Sequence, residues 1–420
     1  MRRLRSFLPR AYRLRPLAER GGGHIAQLRI EGPSAVKTLL LPCANGLGYV
    51  AIPAAGASLV VDTADFRVER VDPATSLWLR LRLALLFKAK KYLAFRDFSV
   101  FSYGPRRERK RFTTFNQHMA NIGVSLDGAL IDAHPELLDG WEDDAAAPRA
   151  LVGSSAENPL AIVAHVYYEE TWGDLAGVLR RLSVPFDLIV TTVPGRERLV
   201  ESIQRAFPHA QIEVMENRGR DVRPFLALLE RGRLDRYAYV CKVHGKKSTD
   251  GGRKSDMGSH MGSLWRRRLL FDLLAAPGLA QSILDLFERD PSIGMVGPAA
   301  FRLPSASYPE ALSWSINRER VLELAERMGV PKDRFRLDFF GGTMFWVRPE
   351  ALAPLKKLAL SGEFAEERGL LDGGLEHAAE RLFGAAVVAA GYRLAECDGY
   401  GAKVGEPRRR ETEKQRTGLG

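Results

Sequence analysis

Four stretches of this chain place reactive side chains at spacings that suit chemistry. In Lys242-Val243-His244-Gly245-Lys246-Lys247-Ser248, two cations alternate before a glycine and two more lysines. Alternate positions of a strand share a face, so Lys242 and His244 point the same way. A lysine at a strand's carboxyl end suits a phosphate, because burying it without a partner is costly. Glu216-Asn217-Arg218-Gly219-Arg220-Asp221-Val222-Arg223-Pro224-Phe225 follows a strand-like run and opens a helix. Gly219 permits a tight turn, and Pro224 fits a first helical turn. Asp221 caps the helix, or with Asn217 it faces a ligand whose anion sits at the helix N-terminus.

The third stretch, Asp338-Phe339-Phe340-Gly341-Gly342-Thr343-Met344-Phe345-Trp346-Val347-Arg348-Pro349, sets a glycine pair ahead of a strand. That pair allows close backbone approach to a ligand, and the aromatics suit a core equally well. The fourth is Leu371-Asp372-Gly373-Gly374-Leu375-Glu376-His377-Ala378-Ala379-Glu380-Arg381. Asp372 stands at a helix start. Glu376 with Glu380, and His377 with Arg381, are four apart and share faces, either as exposed pairs or as a ligand-side cluster. Motifs of other chemistries are missing. The sequence has no Gly-x-x-x-x-Gly-Lys-Ser/Thr, no Gly-x-Gly-x-x-Gly after a strand and no Gly-x-Ser-x-Gly. P-loop hydrolysis, dinucleotide binding and serine hydrolysis therefore lack support.

The elements that must position these residues read clearly from Leu160 onward. LAIVAHVYY is a near-continuous apolar run, the pattern of a strand buried on both faces. TWGDLAGVLRRL then has helical spacing. FDLIVTTV, RERLVESIQRAF, QIEVMEN, VRPFLALLERG and YAYVCKV continue the alternation of strand and helix. The expected fold class is α/β, a mostly parallel sheet with helices on both faces. Ligands of such sheets bind at the carboxyl ends of the strands, which here carry His165, Tyr167, Tyr168, Thr191, Thr192, Asn217 to Asp221 and Lys242 to Lys247.

Before that domain the chain reads differently. Residues 1–23 are expected to be a basic arm, with seven arginines against one glutamate in the first twenty residues. Residues 24–76 hold short β-prone runs, a small β-rich module. Residues 77–159 are expected to be a basic amphipathic helix and linker, with eleven cations against two acids between Leu77 and Arg111. Such a helix lies in a headgroup plane, or turns its cations to water as an ordinary domain helix. Residues 160–401 form the α/β domain, and 402–420 a charged, disordered tail.

The 420 residues carry a formal charge of +11, and the two basic clusters more than account for it. The remainder is slightly acidic, which argues against nucleic acid as a partner. Cys43, Cys241 and Cys397 are odd in number and widely spaced, which excludes a disulfide framework and fits a reducing compartment.

With these stretches in place, the chain resembles the rhamnan synthesis protein F family over about residues 160–400. The resemblance rests on eight ordered blocks: AHVYYEETW, FDLIVTT, ENRGRDVRPFL, KVHGKKS, Leu264-Trp265-Arg266, IGMVGP, GGTMFWVRP and DGGLEHAAERLF. It implies a GT-A-like, Rossmann-like glycosyltransferase of bacterial polysaccharide assembly. The donor is a nucleotide sugar, often activated rhamnose, and the acceptor a glycan or lipid-linked glycan. By position Asp372 matches the acidic base, with Glu376 and Asp338 as alternatives. The donor would meet His165, Tyr167, Thr191, Asn217, Gly219, Arg220, Asp221, Lys242, His244, Lys246, Lys247, Gly341 and Gly342. Trp265, His377, Glu380 and Arg381 would support the acceptor. The expected setting is the cytoplasm, peripheral on the inner face of the cytoplasmic membrane.

Many GT-A enzymes hold Mg²⁺ or Mn²⁺ with an Asp-x-Asp that ends the fourth strand. None occurs in this sequence, where that place reads Cys241-Lys242-Val243-His244. Two pictures follow: the cations of this segment neutralise the diphosphate themselves, or a metal is held by Asp221 and His377. From another class, a non-catalytic polysaccharide-assembly or sugar-binding component that retains the fold fits the same blocks.

Overall fold

The computed structural model describes residues 2–5, 11–17, 25–31, 36–43, 47–53, 56–61, 65–72, 74–78, 92–94, 98–106, 130, 133–141, 158–245, 256–305, 308–367, 369, 372–399 and 401–403. The chain divides into two compact units, Met1–Gly140 with Lys247–Arg268, and Trp141–Lys246 with Leu269–Gly420.

Nine strands build the first unit: β1 (Arg2–Arg5), β2 (Tyr12–Pro16), β3 (Ile25–Glu31), β4 (Val36–Pro42), β5 (Gly48–Pro53), β6 (Ser58–Val61), β7 (Phe66–Arg70), β8 (Tyr92–Ala94) and β9 (Phe98–Tyr103). They form two antiparallel sheets, ordered β1-β6-β3-β4 and β7-β2-β5-β9-β8. Tyr12, Leu14, Leu28, Ile30, Leu39, Tyr49, Leu59 and Phe66 share one buried core drawn from both sheets. This is a larger β module than the composition suggested. Where a basic arm was expected, β1 and β2 are paired strands. In β2 the residues alternate, with Tyr12 and Leu14 buried and Arg13 and Arg15 turned outward. That period of two was hidden by the arginine count. Residues 92–94 and 98–103, inside the stretch read as helix and linker, are likewise strands. The basic core of that stretch, 79–91, and the tail from 404 lie outside the described residues.

The second unit is the expected α/β sheet. Its strands are β10 (Leu160–His165), β11 (Asp187–Thr192), β12 (Gln211–Val214), β13 (Tyr239–His244), β14 (Ile293–Pro298), the short pair β15 (Arg302–Leu303) and β16 (Phe339–Phe340), β17 (Phe345–Val347), β18 (Arg393–Asp398) and β19 (Gly401–Lys403). Eight of them form one sheet, ordered β12-β11-β10-β13-β17-β14-β18-β19. The first four are parallel, β14 and β18 are parallel to each other, and β17 runs antiparallel between β13 and β14. β10, β11, β13 and β14 are buried at every position, as continuous apolar runs require.

The main helices are α1 (Trp172–Arg180), α2 (Glu197–Ala206), α3 (Val222–Glu230), α4 (Asp256–Leu270), α5 (Leu279–Arg289), α6 (Arg318–Arg327), α7 (Leu375–Glu380) and α8 (Leu382–Ala389). Phe225, Phe345 and Phe383, from α3, β17 and α8, meet edge-on or tilted with centroids 5.0–6.0 Å apart. The chain leaves β10 for β11 and β12 on one side and returns to β13 on the other. The carboxyl ends of β10 and β13 therefore flank the switch point where open α/β sheets form their crevice.

Candidate functional site

His165 and His244 end β10 and β13 and are register partners across that switch point. His165 Nδ1 lies 2.9 Å from Thr191 Oγ1 on β11. The next hydroxyl, of Thr192, donates to the Val166 carbonyl at 2.7 Å. Burial disfavours the charged imidazole, as Lys242 does to a lesser degree, and Asp221 opposes them. The result lowers the His165 pKa to about 4, so the ring is neutral near pH 7.

Lys242 is 1% exposed, and its ammonium donates to Asp221 Oδ2 at 2.6 Å and to the Thr343 carbonyl at 2.8 Å. Thr343 Oγ1 donates to the same carboxylate oxygen. A lysine at this strand end was expected against a phosphate; here its charge is matched by Asp221 within the fold. Asp221 stands at the N-cap of α3 but makes no side-chain cap bond, because its carboxylate turns to the sheet. Burial raises the Asp221 pKa, and the charges of His244 and Lys242 together with the two hydrogen bonds overcome that, leaving it well below the ordinary range.

The Gly341-Gly342-Thr343 turn is clamped from several elements. His244 Nε2 donates to the Gly342 carbonyl at 2.7 Å, and the Gly342 N–H donates to Glu380 Oε1 at 2.7 Å. The Gly341 N–H donates to the Phe301 carbonyl at 2.8 Å. Gly342 and Thr343 both have positive φ, 93° and 50°. A threonine in that region is strained, and its carbonyl and hydroxyl bonds to Lys242 and Asp221 hold it there.

The arginines of the Asn217–Arg223 segment reach across the fold. Arg218 pairs with Glu216 at 3.0 Å and Glu366 at 3.6 Å, and Arg223 Nε donates to the Ser361 carbonyl at 3.1 Å. Arg220 Nε meets Glu367 at 3.4 Å, and its Nη1 lies 3.2 Å from His377 Nε2. The Glu367 N–H donates to the Asn217 carbonyl at 3.4 Å. The backbone turns sharply at Gly219 and Arg220, with φ of 58° and 54°.

Asp372 is carried beside α7. Its Oδ1 accepts from Asn317 Nδ2 at 2.7 Å and from the Gly373 N–H at 2.8 Å. Burial raises its pKa, but hydrogen bonds from Asn317, Ser315 and Gly373 and the nearby His377 lower it further, so the carboxylate is ionised. His377 Nδ1 lies 3.3 Å from Glu376 Oε1 and 3.9 Å from Asp372 Oδ1. Arg381 Nε donates to the Ser313 carbonyl at 2.7 Å, and its Nη1 to the His377 carbonyl at 2.5 Å.

The structure thus brings His165, Thr191, Asp221, Lys242, His244, Gly341, Gly342 and Glu380 together, and joins Arg220 to His377 near Asp372. Others lie apart. Asp338 is held bidentately by Arg302, at 2.8 and 2.6 Å, and Arg302 also reaches Glu396 at 3.1 Å. Tyr167 packs edge-on against Tyr168 at 4.8 Å and under the Arg196 guanidinium at 5.3 Å. Trp265 sits half-buried on α4 in the first unit. Lys246 and Lys247 lie outside the described residues. Thr343, Asn317 and Arg302 were not foreseen; Thr343 stood inside a quoted motif, and its place directly after a glycine pair was the available signal.

Asp221 Oδ2 already takes Lys242 and Thr343, and among the described residues no group of three His, Cys, Asp or Glu is placed to hold a metal ion. The described residues do not form a metal centre.

Comparison with known proteins gives this arrangement a family. The model for rhamnan synthesis protein F matches residues 148–392, which contain every candidate site residue from His165 to Arg381. An uncharacterised protein, WxcX, of Xanthomonas campestris pv. campestris is 32% identical over 276 residues in strain B100, and equally so in strain ATCC 33913. The match covers 64% of this chain and 37% of those relatives' length, so this chain corresponds to a part of them. With the family model spanning more than half of its length, the chain belongs to the rhamnan synthesis protein F family.

Proposed function

We propose that this chain is a GT-A-like glycosyltransferase of polysaccharide synthesis, transferring a sugar from a nucleotide-sugar donor to a lipid-linked or growing cell-surface polysaccharide. Family membership supports the polysaccharide setting. The observation that carries the transferase reading is an ionised carboxylate, Asp372, in the unit whose parallel strands end at a switch-point crevice.

In this reading Asp372 is the general base. Asn317 and Gly373 both bond Oδ1, and Ser315 adds a further hydrogen bond, so the carboxylate is held in place. The base takes the proton of the acceptor hydroxyl as that oxygen bonds the anomeric carbon. The bond from that carbon to the diphosphate breaks, and the nucleoside diphosphate leaves with the electron pair. The clamped Gly341–Thr343 turn and the neutral His165 shape the donor side. Rhamnose is the first donor sugar to test, given the family.

No single helix among the described residues is long and apolar enough to cross a membrane. The proposed setting is peripheral, at the cytoplasmic face of the membrane, with the basic segments 1–20 and 77–111 toward anionic lipid. The test is release of nucleoside diphosphate from a panel of nucleotide sugars, with and without glycan acceptor. Acceptor-dependent release supports the reading. Silence across the panel from folded protein would move the chain to the non-catalytic, sugar-binding class.

A further inference from the structure

His165 is more than nine-tenths buried, at 8% exposure. Nδ1 is engaged with Thr191 Oγ1, and Nε2 has no hydrogen-bond partner among the described residues. Because His165 and His244 are register partners on adjacent parallel strands, the ring shares its face with the side chain that clamps the Gly342 carbonyl.

The partner at Nδ1 decides which nitrogen carries the proton. Thr191 is 1% exposed, and its hydroxyl makes this one side-chain hydrogen bond among the described residues. A hydroxyl has one donor and two acceptor sites. If Nδ1 carried the proton, the Thr191 O–H would be buried without an acceptor. If Nε2 carries it, that O–H donates to Nδ1 and the donor is satisfied. The neutral ring then presents an N–H donor at the carboxyl end of β10.

We propose that His165, as its Nε2–H tautomer, donates a hydrogen bond to an oxygen of the ligand bound at the β10–β13 crevice, and that Thr191 is the positioning residue that fixes this tautomer. The inference rests on reading that crevice as the ligand site; the tautomer half stands on Thr191 alone. The donor is uncharged, so it orients an oxygen without competing with the internally matched Lys242–Asp221 pair. A phosphate oxygen and a sugar hydroxyl share this chemistry.

The experiment is long-range ¹H–¹⁵N correlation NMR of the full chain labelled with ¹⁵N-histidine, at pH 7, with the His165 signals assigned from their loss in His165→Asn. The expected wild-type pattern is protonated Nε2 and unprotonated Nδ1. Thr191→Ser keeps that pattern, and Thr191→Val, which removes the hydroxyl at similar volume, gives a mixed or reversed one. An Nδ1–H tautomer in the wild type, or an unchanged pattern in Thr191→Val, overturns the role of Thr191. UDP, GDP, dTDP and free L-rhamnose are then added in turn. A His165 Nε2 shift with a nucleotide that inorganic pyrophosphate reproduces assigns a phosphate oxygen, and one with the monosaccharide alone a sugar hydroxyl. A probe that raises thermal stability but leaves His165 unmoved overturns the contact. Failure of every probe to bind overturns the ligand-site reading and the contact with it, while the tautomer result is decided independently.

Discussion

Replacing Asp221 by asparagine removes the charge that allows Lys242 to be buried. The ammonium is 1% exposed, 2.6 Å from Asp221 Oδ2, with the rings of Phe225 and Phe345 5.7 and 6.0 Å away. At that separation and an effective dielectric constant of about 20, the gross attraction is about 6 kcal/mol. The cost of taking both ions from water cancels much of it. Breaking the pair from one side is different: the ammonium then keeps neutral oxygens, among them the Thr343 carbonyl, but no opposite charge where Asp221 stood. The expected loss is about 4 kcal/mol, which for a domain of this size lowers Tm by about 10 °C. The double variant Asp221→Asn/Lys242→Met leaves no orphaned charge, and its methionine fills the apolar slot between the two rings. It should recover to within about 1 kcal/mol of the wild type, about 3 kcal/mol better than Asp221→Asn alone. Urea denaturation followed by intrinsic tryptophan fluorescence reads both, since Trp346 is fully buried on β17 and reports unfolding of the sheet. If the single variant costs less than about 1 kcal/mol, or if the two substitutions simply add, the pair does not carry Lys242 and the reasoning fails.

Three further outcomes follow from the same geometry. Asp372→Asn should keep the Tm within a few degrees and abolish transfer; because the carboxyl titrates below its usual 3.8, the wild-type kcat/KM should show no acid limb from this base between pH 5 and 8. Near-normal turnover in the variant would pass the role to Glu376. His165 binds no proton in the folded state until about pH 4, whereas the unfolded chain binds one near 6.5, so its contribution to stability is complete above pH 6.5 and is lost as pH falls toward 4. At 1.36 kcal/mol per pH unit that gap is about 3 kcal/mol, seen as a shallower acid loss of stability in His165→Asn than in the wild type; parallel curves would contradict it. Gly219→Ala meets a φ of 58° and places a Cβ 2.3 Å from Phe364 Cδ1. It should cost about 3 kcal/mol by urea midpoint, and an unmoved midpoint would show that the turn has slack.

What the sequence revealed and what it hid divide by range. The runs LAIVAH, DLIVTT and YVCKVH are buried throughout, and their local apolar pattern was enough to place β10, β11 and β13. The shared face of Lys242 and His244 was legible for the same reason. The antiparallel insertion of β17 was not, because it is three residues long and pairs with β13 across about a hundred residues. The density of arginine around Gly219 was visible, but its direction was not: Arg220 answers Glu367, 147 positions away. Asp338 read as a candidate base until Arg302, 36 residues earlier, proved to hold it from both oxygens. Within the β module, the alternation in β2 is masked in the sequence because its outward residues are arginines.

The insertion of β17 also bears on how the chain is made. Until Phe345 pairs with Lys242, β13 is the open edge of a half-built parallel sheet whose other strands are already synthesised. An unpaired, apolar edge invites pairing with another chain. Lys242 puts an inward-facing cation in the middle of that edge, and a foreign strand docking there would bury it beside Asp221 without the carbonyl that completes its hydrogen bonding. The native chain brings β17 with the Thr343 carbonyl at its entrance, so the residue that resists wrong partners on the ribosome is satisfied when the right one arrives.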